Sequence, residues 1–287
     1  MQPISVSTAL VVGFAFHLLA AVSLVGTWQA GRAYPGLRQW ALAAILSTVS
    51  APLIAARPVL PLALSAIGGS GLYVAASALV LVGLHRFTGS GPALGRGSAL
   101  VLAAAGGAFL YFVFARPSVG ARVVLFSACT AWLAARTSWH CLRKLGAAFG
   151  APARFLAALL GALAACQAAR LVVAAAVTAG GADPELFART QAESLLLLAT
   201  IVFWAVVLFA LPSLQQRRLM LDLERSDAQV RKLEGILPIC MHCKRIRDAG
   251  DSWQVLEEYI GAHSGAAFSH CLCPDCVARY YPDAGLR

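Results

Sequence analysis

The chain has 287 residues, of which 59% are hydrophobic and only 13% charged, with a formal net charge of +10. Ordinary soluble domains are about 45–50% apolar and about 25% charged, so this composition excludes a disordered chain, argues against a soluble enzyme and points to a membrane protein. The positive charge alone would suggest a nucleic-acid binder, but its placement does not: residues 1–182 hold twelve Lys/Arg and no Asp or Glu, whereas residues 213–287 hold ten basic and ten acidic residues. The chain divides near Pro212 into an apolar, basic part and a charge-balanced tail.

A helix that crosses roughly 30 Å of hydrocarbon needs about 20 apolar residues. Seven segments qualify, at about 5–28, 39–56, 59–84, 98–115, 119–139, 155–178 and 191–212. The first has a long apolar run and no basic n-region, which marks it as a span rather than a signal peptide. With the N-terminus outside, Arg32, Arg38, Arg86, Arg96, Arg136, Arg143, Lys144, Arg154, Arg217 and Arg218 all fall inside. Only Arg57, Arg116, Arg122 and Arg189 fall outside, so the positive-inside rule selects seven spans with the C-terminus in the cytoplasm. The expected location is the bacterial inner membrane.

Inside the spans the chemistry is sparse. Proton-coupled carriers use intramembrane carboxylates, yet spans one to six have none and Glu193 lies at the outer end of the seventh. A retinal Schiff base needs a lysine in the last span, and Lys144, Lys232 and Lys244 all lie outside the spans. His17 in span one and Gln167 and Arg170 in span six are the polar residues at depth, and Gln167 and Arg170 share a helix face. They are candidate ligand-sensing residues; the plainer reading has Arg170 bonding backbone carbonyls or snorkelling and His17 packed against a small-residue helix. Cys129, Cys141 and Cys166 read as small packing residues.

Several stretches of this region form a pattern: Gly36-Leu37-Arg38-Gln39-Trp40-Ala41-Leu42, Arg57-Pro58 with Leu60-Pro61, Gly83 to Gly89 (GLHRFTG), and Tyr111 with Arg116-Pro117 and Ala121-Arg122-Val123-Val124. Residues 1–210 thereby resemble the membrane-embedded sensor regions that precede catalytic domains in many bacterial diguanylate cyclases. The resemblance implies a sensory bundle. No Gly-Gly-Asp/Glu-Glu-Phe motif and no kinase ATP-binding motif follows, so the expectation is a protein without enzymatic output of its own.

Beyond Pro212 the pattern turns helical and charged. Gln216, Leu223, Val230 and Leu237 fall at a positions and Leu219, Ser226 and Leu233 at d positions of about three heptads, which predicts a short parallel coiled coil and hence a homodimer through 216–237. A single amphipathic helix lying on the membrane or on the tail is the alternative.

The tail carries two C-x₂-C pairs, Cys240/Cys243 and Cys273/Cys276, separated by 29 residues. Four thiolates in two short pairs suit a closed, tetrahedral, structural Zn²⁺ site. A cytoplasmic location disfavours disulfides, and about 50 residues make too small a core to fold without help. Cys271, His242 and His270 are nearby replacements for a ligand. A helix is expected over Ser252–His263 with Ser252 as N-cap, a strand over Ala266–His270, and a helix over Val277–Tyr281, with Trp253 and Phe268 in the core. The run Leu233 to Cys240 (LEGILPIC), Cys243 to Asp248 (CKRIRD), Trp253, Leu256-Glu257, Tyr259-Ile260, His263-Ser264, Phe268-Ser269-His270 and Cys273-Pro274-Asp275-Cys276 resembles a segment found at the end of bacterial signalling proteins, after PAS-type or receiver domains. That resemblance implies two-component or related signalling, with Cys240, Cys243, Cys273 and Cys276 as the metal ligands; Cys271, where the family usually has Gly, is a departure.

The expected architecture is therefore an all-α polytopic membrane protein of seven transmembrane helices (1–212), a coiled-coil connector (213–237) and a small α+β zinc-binding module (238–287). The expected function is a non-enzymatic sensor that relays a membrane or extracellular cue to a cytoplasmic kinase, receiver or cyclase in trans, with no nucleic-acid partner. The alternative is a transporter or permease with a regulatory zinc tail.

Overall fold

The computed structural model describes residues 6–31, 34–56, 59–179, 191–234, 238–248 and 251–282. Arg32, Arg57 with Pro58, Asp183, Glu185, Arg189 and Leu237 lie outside them. The chain forms two compact units, Met1–Arg218 and Leu219–Arg287.

The first unit is a helix bundle: α1 (Val6–Ala30), α2 (Leu37–Ala55), α3 (Gly71–Phe87), α4 (Arg96–Phe114), α5 (Val119–His140), the short α6 (Gly146–Phe149), α7 (Ala151–Ala179) and α8 (Gln191–Glu234). Two π-helical turns, Leu64–Ser70 and Cys141–Leu145, lead into α3 and α6. Seven helices are long and apolar enough to cross a membrane, by length and composition, as the hydropathy pattern predicts. The seventh continues into the connector as expected: α8 runs through Pro212 as a single 44-residue helix. Proline removes one backbone N–H from the ladder, and the flanking turns bridge the gap.

Small residues set the helix spacing. α5 and α7 pair most extensively. Their contacts run Phe126 to Arg170, Thr130 to Gln167 and Ser138 to Ala157, an antiparallel register. Ser138 Oγ donates to the Ala157 carbonyl at 2.7 Å, and Ser50 Oγ of α2 donates to the Gly69 carbonyl at 2.7 Å in the first π-turn. At the centre, Trp40, Trp204, Leu84, Leu156, Leu160 and Leu208 are fully buried.

α2 and α3 cross backbone to backbone. Gly36 is left-handed (φ +98), and a Cβ there would overlap the Gly83 carbonyl oxygen. A Cβ on Gly83 would strike the Trp40 indole, whose ring lies 5.2 Å from that of Phe87. Gln39, with its amide oriented to suit its neighbours, accepts from Arg86 Nη1 at 2.7 Å. The sequence stretches GLRQW and GLHRF thus meet in space. Gly36→Ala is expected to lower bundle stability by roughly 3 kcal/mol, combining left-handed strain with overpacking, read as the shift in unfolding midpoint in detergent. A change under about 1 kcal/mol would show that the crossing relaxes.

In the second unit, β1 (Ile246–Arg247) pairs antiparallel with β2 (Trp253–Gln254), and Ile239 bridges to Ile246. α9 (Leu256–His263) and α10 (Pro274–Tyr280) follow. Three expectations are corrected. Trp253 is in a strand, so the helix begins at Leu256 with Val255 as its cap, not at Ser252. Ser252 instead donates its N–H to Asp248 Oδ1 at 2.9 Å, closing the hairpin turn. Ala266–His270 forms no strand, because both partners of the small sheet lie before α9.

Candidate functional site

Arg170, the basic residue that topology leaves unexplained, is buried and ion-paired. Its Nε donates to Glu193 Oε1 at 2.9 Å and Oε2 at 3.0 Å, and its Nη2 also meets Oε1. Both side chains are less than one-tenth exposed. The reading of Arg170 as a snorkelling or carbonyl-bonding residue is therefore overturned. The acid that spans one to six lack is supplied from α8, whose first turn lies beside the Arg170 turn of α7. The Arg170 guanidinium also lies 5.8 Å from the Phe126 ring centroid.

One turn deeper, Gln167 Nε2 donates to Thr130 Oγ1 at 2.6 Å, and Thr200 Oγ1 lies 3.2 Å from Gln167 Oε1. Thr130 and Thr200 pass their own protons back to the Phe126 and Leu196 carbonyls at 2.8 Å, the usual way a hydroxyl is accommodated in an apolar helix. Cys166 Sγ lies 3.8 Å from Thr200 Oγ1 and 3.6 Å from the Leu196 carbonyl, so it belongs to this cluster as well as to the packing. Deeper still, Tyr73 stacks at an angle on Phe126 and Trp204, and Trp204 Nε1 donates to Ser47 Oγ at 2.9 Å. Tyr73, Ser77, Thr130 and Thr137 border an enclosed gap of about 10 Å³ for a water centre, the least that holds one water. The Tyr73 hydroxyl is buried without a partner.

Gln167 and Arg170 are thus brought together in a polar ladder shared by α3, α5, α7 and α8. His17 is placed elsewhere: it is buried on α1, and its Nδ1 meets the Gly13 carbonyl of the preceding turn at 2.6 Å. Glu193, Thr130, Thr200 and Tyr73 were not singled out from sequence. The signal was present on α8, where Glu193, Thr200 and Trp204 recur at helical spacing on one face.

The bundle's other polar cluster also escaped the sequence reading. Arg218 Nη1 donates to the Phe87 carbonyl at 2.6 Å, satisfying one of the orphan carbonyls at the end of α3. Arg136 bonds Ser98 Oγ at 2.5 Å and the Ala93 carbonyl at 2.8 Å. His85 and His140 stack beside them.

In the tail, each C-x₂-C pair is a local knuckle. The Cys240 backbone carbonyl accepts from the Lys244 N–H at 2.9 Å, with Lys244 in the left-handed region (φ 60). The Cys240 thiol is held below its ordinary value first by the Cys243 backbone N–H, then by that of His242 and by the Cys243 thiol. The Cys273 thiol is lowered in the same way, first by the Cys276 N–H, while the shared thiol hydrogen bond raises Cys276. Backbone N–H groups aimed at sulfur favour thiolate, the form that binds metal. One thiol of each knuckle, Cys240 or Cys273, is thus favoured as thiolate. The two knuckles are not joined: among the described residues no three His, Cys, Asp or Glu side chains gather in a metal-holding group. His242, His270 and Cys271 are exposed. Trp253 and Phe268 are 49% and 47% exposed, which corrects their expected place in a core. Among the described residues of this unit, Ile246 alone is a fully buried hydrophobic.

Comparison with protein-family models, with curated proteins and with solved structures finds no match to this chain, so its function is argued from its own residues.

Proposed function

We propose that the protein is a non-enzymatic signalling protein of the bacterial inner membrane, with its N-terminus outside and its C-terminus in the cytoplasm. The observation that carries the reading is α8, a single helix that holds Glu193 of the buried ion pair near its start and the connector heptads near its end. A cue that alters the Arg170–Glu193 contact acts on the helix that bears the connector. The connector pairs with that of a second copy, and its Leu219 and Leu223 side chains are exposed, as a partner-seeking seam requires. Side chains from Val230 onward in the connector lie outside the described residues. The tail is a module that docks a kinase, receiver or cyclase. Its Cys240, Cys243, Cys273 and Cys276 thiolates hold one Zn²⁺, which supplies folding energy rather than catalysis.

Two outcomes follow. Leu223→Cys in the full-length protein is expected to cross-link between two copies in native membranes, and a clean monomer refutes the dimer. Capture of the intact, membrane-embedded chain is expected to recover a two-component or cyclic-nucleotide signalling protein, and repeated recovery of none from correctly folded material overturns the signalling reading. The transporter alternative draws no support, because Gln167 and Arg170 are engaged with their neighbours and His17 lies apart from them.

A further inference from the structure

Between the start of α7 and the middle of α8 the bundle surface opens into a groove of about 460 Å³. Pro152 and Phe155 of α7 and Val206, Phe209, Ala210 and Ser213 of α8 line it, and Ala151 closes one end. The Ala210 floor is buried, whereas the Phe155 and Phe209 side chains on either side are exposed. Ser213, the polar side chain among these, donates its hydroxyl proton to the Ala210 carbonyl at 2.6 Å. The volume is that of a small-molecule site, but what enters it meets hydrocarbon.

The rim at the Ala151 end is positively charged. Val206, Phe209, Ala210 and Ser213 follow one face of α8 at i, i+3, i+4 and i+7. Arg217 is next on that stripe, one turn past Ser213 and about 6 Å further along the axis. Its neighbour Arg218 is committed elsewhere, donating to the Phe87 carbonyl and lying over the Tyr34 and Phe87 rings. On the facing helix, Ala151 begins α7, so the positive end of a 29-residue helix dipole lies at the same rim. Arg154, exposed in the first turn of α7, adds a second cation. Hydrocarbon within and positive charge at the rim match a molecule with an apolar chain and an anionic head. Basic sites between transmembrane helices take anionic lipid headgroups, and a guanidinium pairs with phosphate through two N–H groups at once.

We propose that this groove binds one anionic phospholipid, with an acyl chain between Phe155 and Phe209 and its phosphate at Arg217 and the first turn of α7. The site rests on the bundle crossing a membrane and does not depend on the signalling reading.

Native mass spectrometry of the full-length protein in mild detergent tests this, with phosphatidylglycerol and phosphatidylcholine of the same acyl chains as probes. One phosphatidylglycerol is expected to bind about tenfold more tightly than phosphatidylcholine. Arg217→Gln, which lies off the a and d positions of the connector, is expected to cut that preference about fivefold, the contribution of one cation at a membrane surface. Arg96→Gln, an equal loss of charge at the start of α4, is expected to leave it unchanged. Ala151→Phe, at an exposed position, fills the groove and is expected to weaken both lipids alike without moving the unfolding midpoint. Inorganic phosphate at the lipid concentration is expected not to compete. Equal binding of the two lipids overturns the proposal, as does a preference that Arg217→Gln leaves intact or that Arg96→Gln lowers as much. Competition by inorganic phosphate assigns the rim to a free anion instead. An Ala151→Phe protein that loses a dimer but keeps its lipid gives the groove to a second copy of the chain, and the lipid site is then refuted.

Discussion

Glu193→Ala is expected to lower the stability of the bundle by about 3–5 kcal/mol, because it leaves the Arg170 guanidinium buried without its carboxylate. Arg170→Ala should cost a similar amount, plus the contact of its guanidinium with the Phe126 ring. The diagnostic variant is the double change Arg170→Leu with Glu193→Leu. A buried ion pair gains in mutual attraction little more than its desolvation costs, so an apolar pair of similar volume should restore most of the stability. Unfolding in mixed micelles reads all three. Single variants within about 1 kcal/mol of wild type would show that the pair is solvated in the membrane and carries little. A recovered double variant that fails to cross-link through Leu223→Cys would separate the pair's signalling role from its stabilising one.

Removal of the proposed zinc is expected to have the larger effect. Structural zinc sites supply about 10–16 kcal/mol of apparent binding energy at neutral pH, and the tail has little else: two two-residue strands, two short helices and one fully buried hydrophobic, Ile246, among its described residues. Full-length protein is expected to carry one zinc per chain. Chelation, or Cys240→Ser, is expected to make residues 238–282 rapidly cleavable by protease while the bundle stays intact. Less than one zinc per chain together with a chelator-resistant tail sinks the assignment. Cys271→Ser provides the control on ligand choice; retention of zinc there leaves the two knuckles as the ligand set.

The spans were legible in the sequence because a membrane helix is a local, compositional object: Leu195 to Leu211 is apolar whatever it packs against. Partners were not legible, because pairing is decided by which helices neighbour one another. Arg170 and Glu193 are 23 residues apart and His85 and His140 are 55 apart, and only the antiparallel placement of α7 and α8, or the adjacency of α3 and α5, makes contacts of them. The tail erred for the opposite reason. Trp253 fits the apolar stripe of the helix that follows, and helical periodicity cannot see that a two-residue strand pair claims it first. Pro212 does not interrupt the helix that leads from span seven into the connector, since one missing hydrogen bond is tolerated in a long apolar helix with neighbours on several sides.

The glycine crossing of α2 and α3 bears on how the bundle can move. Where Gly36 meets Gly83, the two backbones touch directly, with the Trp40 indole packed against Gly83. A contact made of side chains yields by rotamer changes, whereas a contact made of backbone has no such play and is kept or lost as a whole. α2 and α3 therefore travel together as one stiff plank, with Trp40 and Phe87 clamped across it. Rearrangement of the bundle falls to the helices that meet this plank through side chains, α5 across the histidine stack and α8 where Trp204 meets Tyr73 and Ser47.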